Sequence, residues 1–569
     1  MDPQQLIFQA MQLHEDGDIE QANDIYEALL SHNNEHPELL FLSSSTSWML
    51  GRPQAAYARL KKAIHIEADE RYHSLLGNVC QSLGKYEEAI HQYTIAIEKG
   101  LEEADTYSNM GLALFEVGSI QEAKEAHQKA ILLDETHMGA YYNLALLHLR
   151  EQEYDIAQQY FLEAHNIEPS DVEVLNNLGN TFLHQGNIIE ARRYYAQALA
   201  SDQTYPDALY NMAISYEATH ELAEAKYRLQ ALLERHPQNI RAMRKLADIM
   251  IAENDFYSAE QILQMATQID PNHAESWSRL ADTLLQQDQY GEALITIEKA
   301  LEIHETAHSW IQLGIVQREL AMRKELAIAT EDIAHSFRKA LELEPTSGKA
   351  QYILDMIEGN TPDKAPIDYV ENLFDFYAPK FEEHLVDVLH YQTPQKLADF
   401  LWEHTPKISN TNILDLGCGT GLMGPILKDN CAQIVGVDIS PLMLAQAKEK
   451  NTYSALHKED IFSFLSSHTH TYSFDLIVAA DVLVYIGDLA PLFTLLMGVM
   501  KPQARFVFSV EECDEGFHLG QEARFLHSLS YIEASLPASL TLVSTKREAL
   551  RKNSNLWVDG LLVMLQYNP

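Results

Sequence analysis

The chain is poor in basic residues and in cysteine, and it lacks long apolar stretches. Its 569 residues hold 41 Lys and Arg against 83 Asp and Glu. The four cysteines, Cys80, Cys418, Cys431 and Cys513, are scattered. That scatter excludes a disulfide framework and offers no zinc-ligand spacing. Free thiols in a reducing cytoplasm are expected, with no metal site. No apolar run approaches the ~18 residues of a membrane helix. The opening MDPQQLIFQAM has no basic segment followed by an apolar one, so neither a secretory signal nor membrane association is expected. The net charge of −42 argues against nucleic acid as a partner, because phosphate binding needs a basic patch. The acidity is concentrated, with 57 acidic and 26 basic residues in 1–360. It would attract a basic partner, or simply keep a long exposed array soluble.

What is present is repetition. Small residues recur at Ala22, Ala56, Ala89, Ala123, Ala157, Ala191, Ala225, Ala259 and Ala293, in steps of 33 or 34. Most are followed seven residues later by another alanine, and a bulky residue such as Tyr26, Tyr93, Phe161 or Tyr195 lies between. Twelve residues earlier stands Gly or Ala, as at Gly77, Gly111, Ala145 and Gly179. Small residues let two helices approach, the bulky one fills the space beside them, and Gly or a polar residue makes the turn. One such helix pair cannot bury its apolar face alone, so neighbours must stack. The pattern resembles the tetratricopeptide repeat (TPR) over about residues 3–350, as ten repeats. The tenth carries about seven extra residues between Gly314 and Phe337.

A second ladder runs through the repeats. Asn109, Asn143, Asn177 and Asn211 are spaced by 34, each two residues before the small residue of the first helix. A carboxamide offers one acceptor and two donors, so it can hold a peptide backbone whatever the side chains are. The resemblance implies that this position faces a ligand groove, which makes a protein or peptide the expected partner. The other reading is that these amides bond a neighbouring helix.

The period stops near MIEGNTPDKAP (356–366), and 351–366 is expected as a linker. In 367–569 strands and helices alternate: NILDLG, QIVGVDI, FDLIVAADVLVYI and ARFVFSV read as strands separated by helices. Such alternation predicts a parallel sheet covered on both faces. The closing runs LTLVSTKREALRK and WVDGLLVMLQ predict an antiparallel hairpin at its edge. The stretch LDLGCGTGLMG (414–424) is glycine-rich. Gly419-x-Gly421-x-x-Gly424 alone matches a dinucleotide loop, a weak signal.

Asp415-x-Gly417-x-Gly419-x-Gly421, however, resembles the first motif of class I S-adenosylmethionine methyltransferases. VGVDIS, which ends in Asp438 and Ile439, and the pair Asp460-Ile461 continue the likeness. LFDFYAPKFEEHL, VAADVLVYIGDLAPLF and GFHLGQEARFLHSLSYI are similar to a bacterial group of predicted methyltransferases with N-terminal TPR repeats. The resemblance implies a multidomain chain, an all-α TPR superhelix followed by an α/β Rossmann-like class I domain. It implies that S-adenosylmethionine is held by the loop glycines, with Asp415 orienting its amino end. Asp438 and Ile439 would take the ribose, Asp460 and Ile461 the adenine, and Tyr377 would close over it. Asp481 and Tyr485 would lie beside the transferring methyl, and Arg524, His527 and Tyr531 over the substrate mouth. The expected protein is a cytoplasmic methyltransferase whose repeats dock its substrate or a partner. Two alternatives stay open: a small-molecule methyltransferase whose repeats only recruit a partner, and a non-enzymatic scaffold with a vestigial cofactor fold.

Overall fold

A computed structural model describes residues 3–378, 381–382, 391–405, 410–469, 473–553 and 556–569. The chain forms two compact units, Met1–Ile262 and Leu263–Pro569.

The first unit is built of helices of 12 to 14 residues, beginning with Pro3–Glu15 and Ile19–His32. Successive helices pack in pairs, and the predicted small residues lie between them: Ala22, Ala56, Ala89, Ala123 and Ala157 have no exposed surface. Size complementarity explains the choice of small residue. A β-carbon on Gly77 would stand 2.4 Å from the Tyr93 ring, one on Gly111 2.7 Å from His127, and one on Gly179 2.3 Å from Tyr195. Alanine at this place goes with the smaller Leu229 sixteen positions on from Ala213, but with Phe161 sixteen positions on from Ala145. The first helix of each pair ends on a residue with left-handed backbone. Gly17, Gly51, Gly84, Gly118 and Gly186 fill that place in five repeats, and Gln152, His220 and Asn254 fill it in others. Glycine meets this conformation without steric cost, and short polar residues tolerate it.

The second unit contains the last helix pairs and the α/β region. The extra residues of the tenth repeat are absorbed in two places. Its first helix, Ala307–Met322, is 16 residues long, and a loop of 323–329 precedes Thr330–Leu343. Residues 351–358, expected in a linker, instead complete the Gly348–Glu358 helix. This helix is held because Tyr352 is buried, its ring lies 5.0 Å from that of Tyr369, and its hydroxyl donates to the Ala523 carbonyl at 2.9 Å.

The sheet comprises β1 (Thr411–Leu416), β2 (Cys431–Asp438), β3 (Ala455–Lys458), β4 (Phe474–Ala479) and β5 (Met500–Glu512), in the order β3-β2-β1-β4-β5 and all parallel. After β6 (Phe517–Leu519) and β7 (Phe525–His527) come β8 (Leu540–Asn553) and β9 (Leu556–Tyr567). The β8–β9 pair is the expected antiparallel hairpin, with β9 antiparallel to β5. Side chains alternate to two buried layers. Leu414, Leu416, Val435 and Val437 join one core, while Ile413, Ile434, Leu476 and Val478 join the other with Leu397 and Phe400. Both faces are therefore covered, as parallel sheets require. The short β6–β7 hairpin was not foreseen. It extends β5 through Glu511 and Glu512, which pair with Leu526 and His527.

Candidate functional site

The carboxyl ends of β1, β2 and β4 converge on a cavity of about 400 Å³. This is the edge at which open α/β sheets bind ligands. Eleven predicted residues line it: Tyr377, Asp415, Gly417, Gly419, Asp438, Ile439, Asp460, Ile461, Asp481, Tyr485 and Arg524. Gly421, His527 and Tyr531 do not.

The loop after β1 needs its glycines for different reasons. Gly417, Gly419 and Gly421 all have positive φ, at 64°, 52° and 82°. A β-carbon on Gly417 would lie 2.3 Å from Val482, and one on Gly421 2.8 Å from Tyr453. Gly421 is thus a packing residue behind the loop. A β-carbon on Gly419 would meet only Phe381, at 3.9 Å. Its side faces open space in the cavity and lets a ligand approach the backbone.

Two carboxylates flank this loop. Asp415, buried at the end of β1, accepts from the Tyr453 hydroxyl at 2.7 Å. Burial pushes its pKa up to about 7, the Tyr453 bond opposes the rise, and the nearby Asp438 charge adds to it. Asp438, at the end of β2, accepts from the Gly419 and Ser440 N–H groups at 2.8 and 2.9 Å. Its pKa is also raised by burial, against these backbone bonds. The Asp438 carboxylate therefore ties β2 to the glycine loop, with lone pairs to spare. Asp460 caps the Ile461–Ser467 helix, accepting from the Phe462 N–H at 3.0 Å.

A second cluster lies across the cavity. Asp481 follows β4 with φ 59°, a left-handed conformation that costs about 1–2 kcal/mol outside glycine. Its N–H is pinned to Ser509 Oγ at 2.8 Å, and its carboxylate accepts from Arg524 Nη2 at 2.6 Å. Arg524 also donates to Glu511 through Nε at 2.7 Å and to the Tyr485 hydroxyl at 3.3 Å. Arg551 reaches Glu511 at 3.0 Å and Glu522 at 3.3 Å. Burial raises the Asp481 pKa, and Arg524 opposes the rise. Glu511, Arg551 and Tyr391, which were not predicted, belong to this wall or its support. The one sequence signal was the charge of Glu511 at the end of the apolar run ARFVFSV.

His527 sits elsewhere. It is fully buried, and its Nε2 donates to the Gly487 carbonyl at 2.9 Å. Burial pushes its pKa down to about 4, so the ring is neutral. Its ring packs beside Phe517 and Tyr531, and the Tyr531 hydroxyl bonds Asp488 at 2.8 Å. The geometry thus gives His527 a packing place behind the cavity rather than a place over the substrate mouth. Tyr377 is 41% exposed at the rim. Arg318, from the Ala307–Met322 helix of the tenth repeat, also lines the cavity.

The Asn ladder lies in the first unit, with all four residues half-buried. Asn109 donates to Asn78 Oδ1 at 3.1 Å, Asn177 to the Tyr142 hydroxyl at 3.1 Å and Asn211 to Asn176 Oδ1 at 2.9 Å. Each of these three amides spends one donor on the preceding repeat.

Comparison with known proteins agrees with this architecture. The methyltransferase-domain family matches residues 407–555. Tetratricopeptide repeat families match residues 13–79, 104–137, 142–206, 182–249, 218–277 and 250–310. A ubiquinone biosynthesis O-methyltransferase of Sodalis glossinidius is 26% identical over 125 residues, 21% of this chain and 49% of that protein. An uncharacterized methyltransferase of Schizosaccharomyces pombe is 31% identical over 122 residues, 20% of this chain and 43% of that protein. The chain thus spans about half the length of these relatives or less. Among solved structures, YrrB, a TPR protein with an unusual peptide-binding site, aligns at 20% identity and a TM-score of 0.29. The alignment covers 32% of this chain and 95% of that one. The chain carries a methyltransferase domain in its C-terminal region, with multiple tetratricopeptide repeats N-terminal to it.

Proposed function

We propose that the chain is an S-adenosylmethionine-dependent methyltransferase whose repeats dock a protein or peptide, as substrate or as partner. The observation that carries the cofactor reading is the loop itself. Gly419 opens its backbone to a cavity whose adjacent wall holds two buried carboxylates, Asp415 and Asp438, with raised pKa values. A cationic ligand would relieve that arrangement, and S-adenosylmethionine is cationic. A dinucleotide would bring its pyrophosphate to a wall that also includes Glu459 and Asp460.

In this reading Asp415 and the loop backbone hold the amino-acid end of the cofactor, and Asp438 with Ile439 holds the ribose. Asp460 and Ile461 border the adenine, and Tyr377 covers the rim. When bound, S-adenosylmethionine supplies a methyl group already activated on a sulfonium. The protein then has to align the acceptor and exclude water. Asp481, held by Arg524 and Ser509, is placed to orient an acceptor or take its proton, and the Tyr485 hydroxyl is placed to donate to it. Arg318 on the cavity wall supports a coupling of the repeats to the site, since the tenth repeat helps to enclose it.

Calorimetry tests the cofactor reading. S-adenosylmethionine and its demethylated product should bind, and NAD should not. Asp438→Ala should weaken binding by roughly 1–3 kcal/mol through loss of a charged acceptor. Tight NAD binding, or unchanged affinity in the variant, overturns it. The acceptor is sought by incubating a lysate with isotope-labelled cofactor. Label on protein supports docking of a substrate, and label on a metabolite supports the small-molecule alternative.

A further inference from the structure

β5 is a central strand, parallel to β4 on one side and antiparallel to β9 on the other. Its successive side chains point to opposite faces. Phe506, Phe508 and Val510 join one apolar core, and Val507 joins the other. The next residues on the face of Val507 are Ser509 and Glu511, both polar and both buried, with exposures of 0% and 6%. A buried carboxylate in such a place is costly unless it is paired. Both residues are spent on the same target. Ser509 Oγ accepts from the Asp481 N–H at 2.8 Å, and Glu511 reaches the Asp481 side chain through Arg524.

Arg524 divides its guanidinium among three groups. Nη2 donates to Asp481 at 2.6 Å, Nε to Glu511 at 2.7 Å and Nη1 to the Tyr485 hydroxyl at 3.3 Å. Glu511 is shared in turn. The oxygen that accepts from Arg524 also accepts from Arg551 Nη2 at 3.0 Å, and that nitrogen reaches Glu522 at 3.3 Å. Carboxylates and guanidiniums thus alternate along one line of contacts, Asp481–Arg524–Glu511–Arg551–Glu522. The backbone under Glu511 is fixed from both sides, by pairing with Leu526 on β7 and Gly560 on β9.

An opposite charge favours an ionised carboxylate, and a like charge opposes it. Along an alternating line the influence on Asp481 therefore changes sign at each step. Arg524 favours the Asp481 charge, Glu511 opposes it and Arg551 favours it. The other ionisable groups close to Asp481 are Tyr485, in the Leu483–Tyr485 turn, and Tyr391, just before the Thr393–His404 helix. Burial raises the pKa of both hydroxyls, so they stay neutral and add no charge.

We propose that Glu511 is a positioning residue, which holds Arg524 by its Nε, steadies the Asp481 side chain at the cavity wall and keeps the guanidinium from serving Asp481 alone. The proposal rests on the reading of Asp481 as the group that orients the acceptor or takes its proton. A carboxylate neutralised by an arginine of its own is a poor proton acceptor. Glu511 therefore preserves the basicity of Asp481, and Arg551 keeps Glu511 from drawing Arg524 away.

The test follows Asp481 directly, in the full chain without cofactor or acceptor. Aspartates are isotope-labelled at the carboxyl carbon, and the Asp481 signal is the one that Asp481→Asn removes. Its titration midpoint is read by NMR. Glu511→Gln keeps an acceptor for Arg524 but removes the charge, and it should lower the midpoint by about one pH unit or more. Arg551→Gln should raise the midpoint. A merely structural role moves both the same way or neither, and either result overturns the proposal. Should one of these variants fold poorly by circular dichroism, Glu522→Gln replaces it, since that side chain is 41% exposed. It leaves Arg551 to Glu511 and should lower the midpoint by a smaller step, and an unmoved midpoint overturns the proposal as well. Label transfer from isotope-labelled S-adenosylmethionine to a lysate, followed against pH, tests the underlying reading. The acid limb should move with the midpoint in each variant, at unchanged cofactor affinity. Midpoints that shift while the limb stays remove Asp481 from proton transfer and leave its hold by Glu511 standing.

Discussion

Asp415 and Asp481 show how far single residues were legible. Asp415 stood out because it precedes a glycine-rich loop, and Asp481 because of its resemblance-bearing stretch. The cost of burying either was invisible, since it depends on Tyr453, Arg524 and Glu511, which come from distant parts of the chain. The raised pKa of Asp415 has a pH consequence. Its folded value of about 7 lies above the ordinary value of 3.8. Below about pH 4 the carboxyl is protonated in both states, and the folded form suffers no charge burial. From there to about pH 7 the unfolded chain releases this proton more readily, so stability falls, and above pH 7 the loss is complete. A shift of this size corresponds to about 4 kcal/mol as an order of magnitude. Asp415→Asn removes the titration and keeps an acceptor for Tyr453. Its melting temperature relative to wild type should rise between pH 5 and pH 7.5, and a constant difference would refute the assignment. For Asp481, replacement by Asn should lower turnover with little change in cofactor affinity. Equal losses in both would make it a cofactor-holding group, and unchanged turnover would remove it from the chemistry.

Among the elements, regular ones were readable and short ones were not. The helix pairs announce themselves through a 34-residue period, and β1, β2, β4 and β5 through apolar runs. β6 and β7 have three residues each, too few for any periodicity, and they hold their place through β5. Residues 351–358 of the Gly348–Glu358 helix were read as linker because the repeat period lapses there, yet the buried Tyr352 packs on Tyr369 and Phe525. The small-residue rule inside the repeats gives an element-scale prediction. In Gly179→Ala the new methyl meets the Tyr195 ring, which is itself fixed by a 2.8 Å bond to Asn180. Overpacking of this kind costs about 1–3 kcal/mol. Adding Tyr195→Leu recreates the pairing of Ala213 with Leu229 found in the next repeat. The double variant should recover part of the loss in thermal melting. Additive losses would show that the two positions do not share one space.

For the molecule as a whole, charge and the Asn ladder bear on what the repeats hold. The amides of Asn109, Asn177 and Asn211 are partly committed to neighbouring repeats. Each still has a second donor and acceptor capacity for a peptide backbone. The excess of acidic residues in 1–360 would draw a lysine- or arginine-containing segment from a distance. Such steering is screened over about 8 Å at physiological salt, whereas direct amide contacts are screened much less. Association of a basic partner should therefore slow as salt rises. Replacing Asn109, Asn143, Asn177 and Asn211 with Ala should weaken the partner at every salt concentration. The same variant loses bonds between repeats, each worth about 1 kcal/mol, so its melting temperature should fall as well. Binding must therefore be measured well below that temperature. Cofactor affinity should be unchanged, because the ladder lies in the first unit and the glycine loop in the second. A partner captured with the isolated repeats and titrated against both proteins decides the matter. If the quadruple variant melts earlier yet keeps the partner at wild-type affinity, the ladder is an inter-repeat bonding device and the peptide is held by other residues.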